Sequence, residues 1–131
     1  MRIFLDENLS EHVADALNSL NKGYFPDVEV ISTKIAIGIG EPDEIVIPRI
    51  AGQNGILVTR DYDIKRTRSQ FALCKQHGLG IIFIRLPKND NRHWELVKAL
   101  IKHWQKIITS CSSRQKPFAF RLDPHDLRPM V

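Results

Sequence analysis

Short hydrophobic runs alternate with polar segments along the whole chain. Four of these runs have the length of buried strands: residues 2–5 (RIFL), 28–31 (VEVI), 56–59 (ILVT) and 80–86 (GIIFIRL). Apolar runs that are bounded by polar residues or glycine are typical of strands covered on both faces of a parallel sheet. A fifth run at 118–122 (FAFRL) predicts an edge strand.

The segments between the runs repeat their apolar residues at helical spacing. One helix is predicted after Ser10, which is a suitable N-cap, and three more are predicted at about 43–53, 69–76 and 92–108. The last of these helices is expected to bury a single face that contains Trp94, Val97, Leu100, Ile101, Trp104 and Ile108.

Strands that alternate with helices predict a mostly parallel sheet with helices on both sides. The expected fold is therefore a three-layer α/β/α sandwich with four to five strands. No repeat, linker or low-complexity segment divides the chain, so one domain is expected over residues 1–122. Residues 123–131 form a polar tail with two prolines, and this tail is expected to be poorly packed.

Composition narrows the class of protein without identifying it. The 131 residues are 43% hydrophobic and 26% charged, which is typical of a globular domain. Cys74 and Cys111 are too few for a disulfide framework, and free thiols favour the reducing cytoplasm. The N-terminus lacks the apolar core of a signal peptide, and no apolar run approaches the roughly 18 residues of a membrane span.

The net charge of +4 is unevenly distributed along the chain. Residues 1–48 hold nine acids and three bases, whereas residues 49–131 hold sixteen bases and six acids. This asymmetry suggests an acidic site beside a basic surface that attracts polyanions. A basic protein with no nucleic-acid role explains the composition equally well.

Carboxylates follow the predicted strands at the edge where parallel sheets bind their ligands. Asp6 and Glu7 follow the first strand, and Asp61 and Asp63 follow the third. Asp43 opens the helix after the second strand, so it should lie near the same edge. Carboxylates that converge repel one another unless a cation lies between them, and oxygen ligands suit Mg²⁺ or Mn²⁺.

A metal held by carboxylates next to basic side chains suits the hydrolysis of phosphodiesters, because the metal activates water and stabilises charge on the phosphate. Five basic residues near the ends of the third and fourth strands are candidates for binding the substrate phosphates: Arg60, Lys65, Arg66, Arg68 and Arg85.

Each acid also has a purely structural interpretation. Asp6 precedes a helix and could serve its dipole, and Asp43 could be a helix N-cap. Asp61 and Asp63 could form Asx turns. The coincidence of all these acids at one sheet edge favours the functional interpretation.

Three motifs lie at this edge: FLDEN at residues 4–8, PDEIV at 42–46 and LVTRDYD at 57–63. They resemble the motifs of PIN-like domains, and more narrowly those of compact bacterial toxins of the VapC type. The ending PFAFRL at 117–122 resembles the closing strand of one such subgroup. The resemblance extends over essentially the whole chain and implies an α/β/α fold with acids around Mg²⁺ or Mn²⁺.

The resemblance also implies roles for individual residues. The acids that match the family's catalytic, metal-binding positions are Asp6, Asp43, Asp61 and Asp63. Glu44 is adjacent to Asp43 and could serve as the metal ligand instead. Many relatives carry a further acid at the position of Ile45, and this departure leaves the choice of the middle ligand open. Supporting positions around the metal are implied for Glu7, Asn8 and Thr59, with Thr59 orienting Asp61.

The implied function is a metal-dependent endoribonuclease, the cytoplasmic toxin of a toxin–antitoxin pair. RNA would be its substrate, an antitoxin protein would block its active site, and a homodimer is compatible with the resemblance. A catalytically silent PIN-like domain that binds nucleic acid or protein is one alternative. A phospho-accepting receiver domain is another, although a receiver needs Lys where the fourth strand here ends in Arg85.

Overall fold

The computed structural model describes residues 1–61, 63–87 and 92–130. In this part of the chain six strands form one sheet in the order β2-β1-β3-β4-β5-β6. Neighbouring strands are parallel except for β5 and β6, which are antiparallel. The strands are β1 (Arg2–Leu5), β2 (Glu29–Ser32), β3 (Gly55–Arg60), β4 (Gly80–Ile84), β5 (Phe118–Leu122) and β6 (Leu127–Pro129).

Helices cover both faces of the sheet, which confirms the predicted three-layer α/β/α architecture. The helices are α1 (Glu11–Asn21), α2 (Thr33–Ala36), α3 (Asp43–Gly52), α4 (Ile64–His77), α5 (His93–Lys102) and α6 (Trp104–Ser112). The core on one face joins α1, α5 and α6 to the sheet, and the core on the other face joins α3 and α4 to it.

The alternation of side chains along the strands builds these two cores. Ile3 and Leu5 point into the core of α1, α5 and α6, whereas Phe4 points into the core of α3 and α4. All three side chains are fully buried. Because both faces are covered, β1, β3 and β4 appear in the sequence as continuous apolar runs.

Helix α4 begins at Ile64, five residues before the predicted start at residue 69. Asp63 is its N-cap, because one carboxylate oxygen accepts hydrogen bonds from the backbone N–H groups of Lys65 (3.0 Å) and Arg66 (3.3 Å). The basic residues that follow β3 therefore lie on a helix rather than in a loop.

The predicted helix over residues 92–108 is divided into α5 and α6 by a break at His103. Both helices pack into the same core, and the face that α5 buries is centred on Leu96 and Leu100, so the predicted apolar face is wrong in part of its membership. Trp94 and Ile101 are 70% and 51% exposed, whereas Trp104 and Ile108 are buried.

The segment after Asp123 packs against the sheet, so the expectation of a poorly packed tail is wrong. Leu127 is buried and β6 pairs with β5, which is therefore not an edge strand. The backbone N–H of Met130 donates a hydrogen bond to the carbonyl of Ala119 (2.8 Å). None of the helices in the described ranges is long and apolar enough to cross a membrane.

Candidate active site

Asp6 follows β1 at the carboxyl edge of the sheet, and it is only 6% exposed. The hydroxyl of Thr59, a fully buried residue of β3, donates a hydrogen bond of 2.7 Å to Asp6 Oδ2. The backbone N–H of Asp6 donates to the carbonyl of Val58 (2.9 Å). A carboxylate removed from water requires such donors, so this pair fixes the Asp6 side chain between two neighbouring strands.

A small cavity lies beside Asp6 on the face of the sheet that α3 and α4 cover; we call it the acidic cavity. Its volume of about 20 Å³ accommodates little more than one water molecule. Four carboxylates line it, those of Asp6, Glu7, Glu41 and Asp43. Carboxylate oxygens are the type of donor that small, hard cations prefer.

Asp43 reaches the acidic cavity from the first turn of α3, where a carboxylate is favoured by the helix dipole. Arg66 of α4 donates to both of its carboxylate oxygens, from Nε to Oδ2 (3.2 Å) and from Nη2 to Oδ1 (3.3 Å). Pro42 occupies the N-cap position, so the N-cap interpretation of Asp43 does not hold.

Glu7 ties the loop before α3 to the end of β1. Its Oε2 atom accepts a hydrogen bond of 2.7 Å from the backbone N–H of Gly40. Gly40 has a φ of +79°, a conformation that favours glycine. This contact brings the loop, and with it Glu41 and Asp43, over the end of the first strand.

A second, larger cavity of about 840 Å³ lies on the other side of α4, at the ends of β3, β4 and β5. We call it the basic cavity, because five cationic side chains of the described residues line it: Arg60, Arg68, Lys75, Arg85 and Arg121. Asp61, which is the single carboxylate among the described lining residues, accepts a hydrogen bond from the Thr67 hydroxyl (2.9 Å). Arg121 Nη2 lies 3.1 Å from Asp61 Oδ2, and the Asp61 side chain is only 7% exposed.

The structure does not bring the four predicted aspartates into one cluster. Asp6 and Asp43 line the acidic cavity, Asp61 lines the basic cavity, and the carboxylate of Asp63 caps α4. Within residues 1–61, 63–87 and 92–130, no three Asp, Glu, His or Cys side chains form a group that could hold a metal ion.

The structure does not bring all the supporting residues predicted around the metal to the acidic cavity either. Glu7 lines the acidic cavity, whereas Asn8 and Glu44 are exposed to solvent. Thr59 bonds to Asp6 and not, as the resemblance implied, to Asp61, whose hydroxyl donor is Thr67. Tyr62, within the LVTRDYD motif, lies outside the described residues.

Three of the predicted phosphate-binding residues meet in the basic cavity, namely Arg60, Arg68 and Arg85. Arg66 instead pairs with Asp43, and Lys65 is exposed on the first turn of α4. Sequence analysis missed Arg121 and Glu41. Arg121 could have been noticed as the charged residue within an otherwise apolar strand, FAFRL.

Cys74 and Cys111 are free thiols, as the sequence predicted, and both are buried. Burial raises the pKa of the Cys74 thiol to about 12, and the nearby Asp43 carboxylate adds to this shift. Burial also raises the pKa of the Cys111 thiol to about 12. Both thiols are therefore protonated at neutral pH, and neither is an activated nucleophile.

A family model described as a PIN-like domain matches residues 1–86, well over half of the chain. The chain therefore belongs to the PIN-like domain family, which supports a nuclease-type or nucleic-acid-binding function. Searches of curated proteins and of solved structures give no significant match.

Proposed function

We propose that the protein is a metal-dependent endoribonuclease whose active site is centred on Asp6. The observation that carries this proposal is the buried Asp6 carboxylate, which Thr59 holds beside Asp43 at the ligand-binding edge of a PIN-like sheet. A carboxylate placed in this way is costly to bury, and a cation beside it would offset that cost.

The donors around the acidic cavity fit Mg²⁺ or Mn²⁺. Mg²⁺ in phosphoryl-transfer sites is commonly bound by one or two carboxylates, while water and substrate phosphate complete its coordination. Asp6 and Asp43 would supply that pair, with Glu7 and Glu41 in the cavity wall as further oxygen donors. Asp61 and Asp63 follow β3 at the same sheet edge and remain proposed acids of the site.

When bound, the metal would activate a water molecule and stabilise the charge that develops on the phosphate. Thr59 would keep Asp6 in place throughout the reaction, and Arg66 would balance the charge of Asp43. Basic side chains at this edge would align the RNA backbone for in-line attack, with Lys65 on the exposed first turn of α4. The products would be a 3′-hydroxyl and a 5′-phosphate.

The biological setting that we propose is a toxin–antitoxin pair in the cytoplasm, with an antitoxin protein covering the active site. Its support is the resemblance of the three motifs to those of compact toxin-type PIN-like domains. Two buried thiols that do not form a disulfide agree with a reducing compartment. Induced expression is expected to arrest growth, and expression of Asp6→Asn is expected not to.

Incubation of the purified protein with mixed cellular RNA, with Mg²⁺, Mn²⁺ or EDTA, tests the enzymatic proposal. We expect internal cleavage with either metal and none with EDTA, and the products should be substrates for 5′-phosphate-dependent exonuclease. Cleavage that continues unchanged in EDTA would contradict metal dependence.

A catalytically silent PIN-like domain that binds nucleic acid is the second candidate. It is favoured by the arginine partners of two of the acids, because Arg66 pairs with Asp43 and Arg121 with Asp61. A magnesium titration of thermal stability distinguishes the two proposals. A nuclease should be stabilised by the metal, whereas a silent domain should bind RNA without cleavage and show no metal-dependent shift.

A further inference from the structure

The basic cavity has a larger volume and a more varied lining than are needed to align a phosphodiester at the acidic cavity. Its volume of about 840 Å³ is that of a site for a complete small molecule. It lies on the opposite side of α4 from Asp6 and Asp43, so a ligand can occupy it without displacing a metal from the acidic cavity.

The charges in this cavity indicate an anionic ligand. Arg121 is paired with Asp61, but Arg68, Lys75 and Arg85 form no ion pair with any residue of the described ranges. Like charges that face one concave surface repel one another and attract anions from solution. A bound phosphate would relieve that repulsion and could accept hydrogen bonds from the guanidinium groups.

The apolar part of the wall indicates a flat ligand as well. Phe71, Leu86 and Met130 contribute apolar surface beside the cations. The ammonium group of Lys75 lies 4.4 Å from the centroid of the Phe71 ring, so charge and aromatic surface are in direct contact. A ligand that combines an aromatic base with a phosphate uses both parts of this wall, whereas an acidic peptide uses only the cations.

The basic cavity is also near enough to the acidic cavity for one strand of RNA to reach both. Thr59, which bonds to Asp6, and Asp61, which lines the basic cavity, are two residues apart at the end of β3. Their Cα atoms are therefore separated by about 7 Å along the strand. One nucleotide of an extended single strand covers a comparable distance.

We propose that the basic cavity binds the nucleotide next to the cleaved bond of a single-stranded RNA. Arg68 and Arg85 bind its phosphate, and its base lies against the wall formed by Phe71, Leu86 and Met130. This inference rests on the proposed ribonuclease function, which it deepens by assigning a subsite to the substrate.

Binding of a short fluorescent single-stranded RNA, measured by anisotropy in EDTA, tests the subsite without any cleavage. The double variant Arg68→Gln/Arg85→Gln should bind about tenfold more weakly or worse. The slope of log affinity against log salt should become shallower by about 0.7, since both arginines bind one phosphate and each neutralised phosphate of a single strand contributes about that much. Both residues are exposed, so the variant should remain folded.

The matched control is Lys22→Gln/Lys98→Gln, which removes the same charge from exposed positions on α1's C-terminal end and α5. Its affinity should stay within about twofold of the wild type, since only general electrostatics change. Equal weakening by both double variants would overturn the subsite, because affinity would then depend on net charge alone.

Competition experiments identify the chemical class of the ligand. Uridine monophosphate should displace the RNA at lower concentration than inorganic phosphate, and Phe71→Leu should reduce that difference. Hexaglutamate that competes as well as uridine monophosphate would overturn the proposal and indicate an acidic peptide of a partner protein. A nucleotide no better than phosphate would also overturn it.

Failure of the subsite can be distinguished from failure of the proposed function. If the wild-type protein gives the expected binding and competition results but never cleaves RNA, the ribonuclease proposal is refuted and the proposed nucleotide-binding cavity stands. If cleavage instead depends on Asp6 while Arg68→Gln/Arg85→Gln keeps the RNA affinity and the cleavage rate of the wild type, that result would refute the proposed subsite and leave the ribonuclease proposal intact.

Discussion

The acidic and basic cavities lie at the same sheet edge on either side of helix α4, but their buried carboxylates have different partners. In each, an acid just beyond a strand accepts a hydrogen bond from a threonine hydroxyl, Thr59 for Asp6 and Thr67 for Asp61. Asp61 has Arg121 as an ion-pair partner, whereas Asp6 has no ion pair within the described residues.

This difference separates two roles for similar carboxylates. A buried charge is tolerated when a partner of opposite charge lies close to it. Asp61 has that partner within the chain, so its charge is balanced without a metal. Asp6 has only hydrogen bonds, so an external cation would benefit it most. The comparison supports the proposed metal binding at the acidic cavity and the proposed anion binding at the basic cavity.

The largest effect is expected from Asp6→Asn, which preserves the shape of the side chain but removes its charge. Cleavage of RNA should fall by more than about 100-fold, because the proposed metal would lose its central ligand. Stabilisation by Mg²⁺ in thermal unfolding should disappear, while unfolding itself stays cooperative. Full cleavage by this variant would refute the assignment of Asp6.

Thr59→Val should have the next largest effect. It removes the hydroxyl that donates to Asp6 Oδ2 and leaves that buried oxygen without its side-chain donor. Unfolding in urea should show a loss of about 1–3 kcal/mol, and cleavage should fall by about tenfold. Thr59→Ser is the control, since it retains the hydroxyl; if Ser and Val behave alike, the hydrogen bond is not what matters.

A double-mutant cycle on Asp61 and Arg121 tests the other half of the comparison. Arg121→Gln should destabilise the fold by about 1–3 kcal/mol, because it leaves the buried Asp61 charge without its partner. The Arg121 side chain is 36% exposed, which keeps this loss below that of a fully buried pair. Addition of Asp61→Asn should recover part of the loss, and strictly additive losses would show that the two residues are not coupled.

Glu7→Gln should have the smallest effect of this series. It weakens the charge-assisted hydrogen bond from the Gly40 N–H, but an amide oxygen can still accept, and the contact is exposed. The stability measured in urea should change by less than about 0.5 kcal/mol, with cleavage reduced only a few-fold. A loss as large as that of Asp6→Asn would make Glu7 a principal metal ligand instead.

Much of the fold was predictable, because the strands are buried on both faces and stand out as apolar runs. The positions of Asp6 and Asp61 beyond strand ends followed from those runs alone. The break at His103 was not predictable from periodicity, since the buried positions of α5 and α6 follow one another at helical spacing into the same core. β6 was missed because its pairing with β5 is a tertiary interaction of a polar segment.

The division of the site into two cavities was the main feature that the sequence did not reveal. Asp63 was compatible with a metal ligand and with an Asx turn, and only the structure shows that it accepts hydrogen bonds from the N–H groups of Lys65 and Arg66 as the N-cap of α4. Arg121 lies 60 positions after Asp61, so only the assembled sheet brings the two together. The family resemblance predicted which acids form the site, but it could not predict their partners in this chain.

The pairing of β6 with β5 has a consequence for the proposed affinity for RNA. Met130 is both anchored to Ala119 and part of the wall of the basic cavity. A protease that cuts the chain between β5 and β6 would therefore remodel the place where a base is proposed to lie, while leaving Asp6 and Thr59 untouched. Limited proteolysis could in this way lower affinity for the substrate without damaging the catalytic acids.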